Sequence, residues 1–363
     1  MRISFIIASK NAEKTIEYTL CSFLRQTNYN FELIIVDNST DKTPEILGKY
    51  EGKNIKIFHR DDKCASEARN IGMNYATGDY IVFFDADDEV HPCLVENLTE
   101  VISKYEPEIV VWNYNKVFTY IAERLKEKFC DSNSIKDYFP LTGTYFLRKV
   151  YLEKSFWIWI GNICYKTSFL RKFNMKFPEE FIFGEDPNFS FKALSNSERC
   201  AYINKTLAYY VQAPGSLTRR YNKRFPDQLY AFIDMANYAD QKFRDSGEED
   251  FRRLSEALRT QWVLSAFVNS SYLNFVNLLR LHKSWREAEK IFFENLRKYS
   301  GLKKLLMYAI EYTSSGGVYV IYKKLARNII EGMESNQIKL SDLATFMTLR
   351  KIGDLRSRLK FRR

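Results

Sequence analysis

Apolar and polar segments alternate regularly along the first third of the chain. Short runs of β-forming residues are separated by longer amphipathic stretches that carry helix-start and helix-stop residues. The runs that predict strands are Ile3–Ala8, Glu32–Val36, Ile55–His59, Tyr80–Phe84 and Ile109–Tyr114. The stretches that predict helices are Glu13–Gln26, Thr43–Tyr50, Cys64–Ala76 and Pro92–Tyr105. Because such alternation is typical of βαβ units, we predict an α/β fold with a mostly parallel central sheet flanked by helices.

The rest of the chain divides into an aromatic-rich segment and a helical region. Residues 115–180 give no clear period, although they contain the stretch FWIWIGN at 156–162. A short helix is predicted to start at Asp186–Pro187. From about Phe225 the apolar spacing becomes helical, with long stretches at Leu229–Arg244, Phe251–Tyr272 and Trp285–Tyr299. We therefore expect an α/β domain followed by a helical C-terminal region.

Composition places the chain among folded proteins with a sizeable core. It has 363 residues, of which 45% are hydrophobic and 16% aromatic. No apolar run approaches the roughly 20 residues that a membrane span needs, and the first residues lack a secretory cleavage site. The six cysteines are scattered without a C-x-x-C pair, so we expect free thiols in a reducing compartment. These features predict a cytoplasmic protein.

The positive charge is concentrated at one end of the chain. The formal net charge is +10, and residues 219–363 hold 28 Lys+Arg against 16 Asp+Glu. We expect this basic helical region to contact the anionic inner face of the plasma membrane. Contact with a partner protein and a solvated helical cap are the alternatives. No nucleic-acid-binding motif accompanies the charge, so we expect no nucleic-acid partner.

Polar residues follow three of the predicted strands, at SKN (9–11), VDNSTD (36–41) and FDADD (84–88). The carboxyl ends of parallel strands meet at one sheet edge, where ligands bind. Asp85 and Asp87 would repel each other there unless a cation neutralised them. Mg²⁺ or Mn²⁺ uses one or two carboxylates together with water and substrate phosphates. The alternative is an acidic turn that caps the next helix.

Six stretches in order resemble glycosyltransferase family 2, a family of inverting enzymes with the Rossmann-like GT-A fold that use nucleotide sugars. They are SFIIASKNAEKTI (4–16), VDNSTDKT (36–43), ARNIG (68–72), Asp85-Ala86-Asp87, GEDPNFSFKAL (184–194) and YYVQAPGSLTRR (209–220). The resemblance implies a GT-A domain over 1–220, with a nucleotide-sugar half of about 1–115 and an acceptor half of about 116–220. The basic, mostly helical region at 221–363 follows. It also implies transfer of a hexose or N-acetylhexosamine from a UDP-sugar to a glycan or lipid-linked oligosaccharide in bacterial surface polysaccharide synthesis.

The resemblance also implies roles for particular residues. Asp186 would be the general base with Glu185 beside it, and Asp85 and Asp87 would hold the metal and diphosphate. Asp88, Trp159 and Asn162 would contact the acceptor. The donor nucleotide would be bound by Ala8, Ser9, Asn11, Asp37, Asn38, Arg69, Asp85, Ala86 and Asp87. Four residues that can donate hydrogen bonds follow a Pro-Gly turn and would hold the diphosphate, namely Ser216, Thr218, Arg219 and Arg220.

Structural interpretations exist for the same residues. Asp186 before Pro187 is typical of an N-cap followed by the first helical residue, and the helix end would then favour the ionised carboxylate. Arg69 is expected to pair with a carboxylate or a phosphate, and the structural alternative is an exposed arginine on the surface of a helix. Trp159 is equally typical of a core. A haloacid-dehalogenase-type phosphohydrolase and a non-catalytic sugar-nucleotide binder are the alternative functions.

Overall fold

The computed structural model of the chain describes residues 1–61, 64–120, 138–212, 221–314, 316–339 and 341–348. The chain forms two compact units, Met1–Pro214 and Gly215–Arg363, next to the predicted boundary after residue 220. The first unit contains a nine-stranded sheet and the second is helical in its described part.

The predicted alternation of strands and helices in the first third of the chain is confirmed. It forms four βα units, whose strands build one half of the sheet. The strands are β1 (Ile3–Ser9), β2 (Phe31–Asp37), β3 (Ile55–His59) and β4 (Tyr80–Asp85). The helices are α1 (Ile16–Leu24), α2 (Thr43–Gly48), α3 (Ala65–Tyr75) and α4 (Leu94–Tyr105). The strands run parallel in the order β3-β2-β1-β4, so their carboxyl ends meet at one edge.

The other half of the sheet mixes strand directions. It contains β5 (Glu89–Val90), β6 (Ile109–Val117), β7 (Tyr138–Leu141), β8 (Ile163–Lys166) and β9 (Cys200–Val211). Strand β6 was predicted and lies parallel to β9, whereas β8 lies antiparallel between β4 and β6. The short helices are α5 (Gly143–Leu147), α6 (Thr167–Lys172) and α7 (Glu185–Asn196). The prediction of an α/β fold with a mostly parallel, helix-flanked sheet is confirmed, with β8 as an antiparallel insertion.

Apolar strands covered on both faces hold this unit together. Ile3, Phe5, Phe83 and Phe84 have no exposed surface. Each such side chain contributes about 1.5–3 kcal/mol relative to exposure. Because helices cover both faces of the sheet, its strands read as continuous apolar runs that stop at polar residues on the carboxyl edge.

The second unit confirms the helical pattern. Its helices are α8 (Asp227–Lys242), α9 (Glu249–Ala257), α10 (Val263–His282), α11 (Trp285–Arg297), α12 (Leu302–Tyr312) and α13 (Val318–Ser335). A π-helical turn at Leu258–Trp262 joins α9 to α10. Of the helices that the structure describes, none has the length and apolar character needed to cross a bilayer.

The cysteine prediction is confirmed in part. Cys21, Cys64, Cys164 and Cys200 are free. It is wrong for Cys93, which is buried at the start of α4 and disulfide-bonded. The sixth cysteine, at position 130, lies outside the described residues.

Candidate active site

The predicted acidic pair lies where β4 ends at the carboxyl edge of the sheet. Asp85 is the last residue of β4, and 27% of its side chain is exposed. Asp87 follows in the turn before β5. Burial, and then the neighbouring Asp85 carboxylate, raise the pKa of Asp87 to about 7. Two hard oxygen donors that destabilise each other's charge fit a divalent cation whose other ligands are water and phosphate. Among the described residues, no group of three His, Cys, Asp or Glu side chains forms a ready metal cage.

A single buried guanidinium joins this pair to residues far along the chain. Arg69 of α3 is only 3% exposed. Its Nη2 donates to Asp85 Oδ1 at 2.9 Å, and its Nη1 donates to Asp186 Oδ1 at 2.6 Å. The same Nη1 reaches Glu185 Oε1 at 3.2 Å. Arg69 therefore brings the strand-end acid and the predicted base into one site, and the surface interpretation of Arg69 is wrong.

The rest of the ARNIG stretch holds Arg69 in place. The Asn70 side chain binds both backbone groups of Phe177, with Nδ2 to the carbonyl at 3.0 Å and Oδ1 to the amide at 2.8 Å. The Phe177 ring then lies 5.2 Å from the Arg69 guanidinium carbon. A Cβ at Gly72 would overlap the side chain of Ile6, so this glycine allows α3 to pack closely on β1. These contacts give Asn70 and Gly72 positional roles beside Arg69.

The helix that carries Asp186 begins earlier than predicted. Gly184, at φ 90°, is the N-cap of α7, and Asp186 is the second helical residue. Gly184 takes the cap position because its left-handed backbone is accessible to glycine at little cost. The N-cap assignment of Asp186 is therefore wrong.

The prediction that the helix end favours the ionised carboxylate of Asp186 also needs correction. Burial raises the pKa of its carboxyl well above the ordinary value, Arg69 opposes this, and Glu185 and Asp85 add to the rise. Three carboxylates share one guanidinium here, so the predicted depression by the helix end does not dominate. About a quarter of the Asp186 side chain, 26%, remains exposed.

The ends of β1 and β2 form the neighbouring part of the edge. Ser9 pairs in register with Asp37, and Ala8 with Asp85. Asp37 is 1% exposed, and its Oδ1 accepts from Ser39 Oγ at 2.6 Å. Its Oδ2 lies 3.3 Å from His59 Nδ1. The sequence around His59 gave no sign of a role in the site, because His59 lies beside Asp37 only through the pairing of β2 with β3.

The remaining predicted donor residues line the same edge. Asn11 has a left-handed backbone, at φ 51°, and its Oδ1 accepts from the Thr40 amide at 2.9 Å. The Asn38 amide donates to the Ser9 carbonyl at 2.9 Å. Ala86 is 8% exposed between the two acids. The structure thus brings together all the donor-side residues that it describes, while their contacts with a nucleotide stay predictions.

The predicted acceptor residues have interior roles in this structure. Asp88 is fully buried, and its Oδ1 accepts from the Val211 amide at 2.6 Å. Asn162 is fully buried as well, donating to the Trp112 carbonyl and accepting from the Trp159 amide, each at 2.7 Å. Neither side chain has exposed surface to offer an acceptor, because each completes backbone hydrogen bonds of the sheet region.

Trp159 follows the structural interpretation more closely than the functional one. Its ring lies 5.5 Å from those of Phe84, Tyr114 and Tyr210 and is partly buried against the core. The predicted diphosphate residues Ser216, Thr218, Arg219 and Arg220 lie outside the described residues, as do the last fifteen residues of the basic region, 349–363.

Comparisons with known proteins find glycosyltransferases. Residues 4–172 match the family model described as "Glycosyl transferase family 2". The uncharacterized glycosyltransferase EpsJ of Bacillus subtilis is 29% identical over 60% of this chain and 62% of its own. The glycosyltransferase GlyA of Streptococcus pneumoniae serotype 4 is 29% identical over 64% of this chain and 33% of its own. The chain thus spans less than two thirds of the length of these relatives.

Two further relatives are informative. The Escherichia coli enzyme WfgD, a UDP-Glc:α-D-GlcNAc-diphosphoundecaprenol β-1,3-glucosyltransferase, is 33% identical over 33% of this chain and 51% of its own. The crystal structure of Staphylococcus aureus TarS residues 1–349 in complex with UDP-GlcNAc aligns with a TM-score of 0.56 at 19% identity, covering 97% of this chain and 91% of that one. This likeness confirms the predicted GT-A fold.

Proposed function

Because residues 4–172 match the family model of glycosyltransferase family 2, we propose that this chain is a family 2 enzyme that transfers a hexose or N-acetylhexosamine from a UDP-sugar to a glycan or lipid-linked oligosaccharide, with inversion. The UDP donor is supported by TarS, whose structure holds UDP-GlcNAc, and by WfgD, whose name includes UDP-Glc. The lipid-linked acceptor is supported by the diphosphoundecaprenol in the name of WfgD. The cellular role is assembly of a bacterial surface polysaccharide at the inner face of the membrane.

The observation that carries this proposal is the set of contacts around Arg69. Inverting transfer needs a group that holds the donor diphosphate and a separate base that faces the acceptor hydroxyl. Asp85 and Asp186 are distant in sequence, yet both lie within 2.9 Å of the same guanidinium. That arrangement supports a metal-side role for Asp85 and a base role for Asp186 within one small site.

The donor side rests on Asp85 and Asp87. They would hold Mn²⁺ or Mg²⁺, which when bound neutralises the charge that develops on the departing UDP. Burial and the neighbouring Asp85 carboxylate raise the pKa of Asp87 to about 7. Its carboxylate is stabilised most by a neighbouring positive charge, which fits a metal ligand.

The acceptor side rests on Asp186. Its carboxylate takes the proton of the acceptor hydroxyl as that oxygen forms a bond to the anomeric carbon. The bond from this carbon to the diphosphate oxygen breaks on the opposite face, and its electron pair leaves with UDP. A raised pKa makes the ionised Asp186 a stronger base. The hydrogen bond from Arg69 fixes the direction of the carboxylate.

Calorimetric titration of UDP, GDP and CMP, with and without Mn²⁺, tests the donor site. Wild type should bind UDP tightly only with Mn²⁺, and Asp87→Asn should lose this binding. Asp245→Asn, an exposed carboxylate of the second unit, should behave as wild type. Absence of nucleotide binding under every condition would overturn the donor-site assignment.

Turnover of UDP-sugars tests the base. Asp186→Asn should bind UDP normally and lose activity by about 10²–10⁴-fold. Wild-type protein that binds UDP-sugars without any turnover would support the non-catalytic binder instead. Burst formation of an aspartyl-phosphate would support the phosphohydrolase.

A further inference from the structure

Phe177 lies between α6 and α7, and its buried ring contacts side chains from three elements of the first unit. The ring stacks on that of Phe189 of α7, with centroids 4.0 Å apart and planes at 4°. It meets the ring of Phe83 of β4 edge to face, at 4.7 Å and 84°. The guanidinium carbon of Arg69, on α3, lies 5.2 Å from the ring centroid. One side chain thus joins α3, β4 and α7.

These three elements carry the charged groups of the candidate site. Phe83 precedes Asp85 on β4, and Phe189 follows Asp186 on α7 after one helical turn. Arg69 itself donates to both carboxylates. Because protein interiors are close-packed, the volume of the ring between these elements helps to set how far apart they lie. The position of the ring therefore bears on the distance between Asp85 and Asp186.

The backbone of Phe177 is held independently of its ring. Asn70 of α3 forms hydrogen bonds with both the amide and the carbonyl of Phe177. The same Asn70 Nδ2 also donates to Glu179 Oε1 at 3.0 Å. These bonds fasten the segment before α7 to α3, so the chain cannot move away from Arg69 without breaking them.

The Arg69 guanidinium is held by hydrogen bonds at one end only. Its Nη atoms donate to three carboxylates, whereas its buried Nε has no hydrogen-bond partner among the residues that the structure describes. The face of an aromatic ring attracts a cation, and this attraction does not depend on the direction of an N–H bond. The Phe177 ring therefore adds a restraint that the carboxylates do not supply.

We propose that Phe177 is a positioning residue for sugar transfer, which holds the Arg69 guanidinium and, through it, the separation of Asp85 and Asp186. This role rests on the proposed function, because it takes Asp85 as the metal-side acid and Asp186 as the base. Displacement of reacting groups by about 1 Å costs about 10²-fold in rate. A ring that only filled the core would change stability as other buried phenylalanines do, without a separate effect on turnover.

Steady-state kinetics of the full-length protein test this role. Release of UDP from UDP-GlcNAc and from UDP-Glc, with Mn²⁺ present and water as the acceptor, reports turnover. Phe177→Leu should lower kcat about tenfold or more and change the KM for the donor by less than about threefold. Phe191→Leu is the matched control, because Phe191 is a fully buried residue of α7 whose ring packs on Tyr151. The control should lower Tm to a similar extent and keep most of kcat.

Nuclear magnetic resonance of the Arg69 side chain gives a readout that needs no turnover. An aromatic face shifts the resonances of nearby protons, so the Nε–H signal of Arg69 should move in Phe177→Leu and stay in place in Phe191→Leu. The signal is identified by its absence from the spectrum of Arg69→Met. Asn70→Ala keeps the ring and removes the bonds to the Phe177 backbone, so it should also move the signal and lower kcat by a smaller factor.

Failure of this role and failure of the proposed function can be told apart. An Arg69 signal that is unchanged in both Phe177→Leu and Asn70→Ala would overturn the positioning role. Equal losses of kcat in Phe177→Leu and Phe191→Leu would overturn it as well. Absence of UDP release by wild type would count against the proposed function, while the resonance comparison would still decide whether Phe177 holds Arg69. Circular dichroism reports folding, and Asn70→Ala serves for both tests if Phe177→Leu does not fold.

Discussion

Replacement of Arg69 by methionine tests whether one guanidinium holds the site together. The change keeps most of the side-chain length and removes a charge that faces Asp85, Glu185 and Asp186. Removal of one partner from a buried ion pair costs about 3–5 kcal/mol. The lower value applies here, since Asp85 and Asp186 keep 27% and 26% exposure and are partly screened. We expect a loss of about 3 kcal/mol in the free energy of unfolding.

Scanning calorimetry measures this loss in the first unit, residues 1–214. For a unit of this size, about 3 kcal/mol lowers Tm by about 6–12 °C. Arg60→Met is the matched control, because Arg60 is exposed and its one described side-chain hydrogen bond goes to the Tyr75 hydroxyl. That variant should lose less than about 1 kcal/mol. Arg69→Lys should fall between the two, since an ammonium lacks the planar fork that reaches several carboxylates.

The pH dependence separates electrostatics from simple loss of packing. Arg69 opposes the rise that burial causes in the pKa of Asp186, so without Arg69 this pKa lies further above its unfolded value. The variant should therefore recover stability relative to wild type as the pH falls from about 8 to about 5. Equal Tm values for Arg69→Met and Arg60→Met would refute the reasoning, and so would a deficit that does not change with pH.

Three further measurements test other parts of the structure. Burial opposes ionisation of Glu32, but hydrogen bonds from its neighbours lower its pKa from 4.5 to about 2; Glu32→Gln should therefore cost about 3 kcal/mol near pH 7. In chemical denaturation, this difference in the free energy of unfolding should disappear as the pH drops from about 4.5 toward 2. The control Glu45→Gln, at an exposed position, should leave the free energy of unfolding almost unchanged at every pH. A Cβ at Gly143 would overlap backbone oxygens at the end of α7 and after it, so Gly143→Ala should lose about 2–4 kcal/mol, whereas Gly48→Ala meets nothing and should be neutral or slightly stabilising. Because the pKa of Asp87 is about 7, Mn²⁺-dependent UDP binding should weaken about tenfold for each pH unit below 7 and level off above it, and a flat profile in calorimetry would contradict the ligand role.

Local patterns predicted the parallel half of the sheet because its strands are apolar runs that end abruptly at polar residues. The positions of Asp85 and Asp37 at the carboxyl edge followed directly from that rule. Strand β8 escaped prediction, since its four residues lie within an aromatic-rich segment and are fixed by pairing with β4 and β6. Contacts across long sequence separations carry no local signal.

Sequence patterns predicted which residues belong to the candidate site, but they did not predict most of the contacts that these residues make. Asp186 before Pro187 obeys a familiar capping pattern, yet Gly184 takes the cap position because of its left-handed backbone. Asn162 is polar in sequence but buried in the fold, where its amide satisfies backbone groups. Arg69 could be assigned a carboxylate or a phosphate partner from sequence, and only tertiary structure selects three carboxylates.

The insertion of β8 has a consequence for how the first unit folds during synthesis. In the part of the chain that the structure describes, strands β4 and β6 are joined in the sheet only through residues 163–166. Until the ribosome has released that segment, both strands present unpaired backbone edges, which are prone to bind other chains. A nascent chain that stops near residue 115, the end of the expected nucleotide half, therefore cannot complete its sheet. We expect such a fragment to need chaperones or to aggregate, whereas one that extends past Lys166 can close the sheet between these two strands.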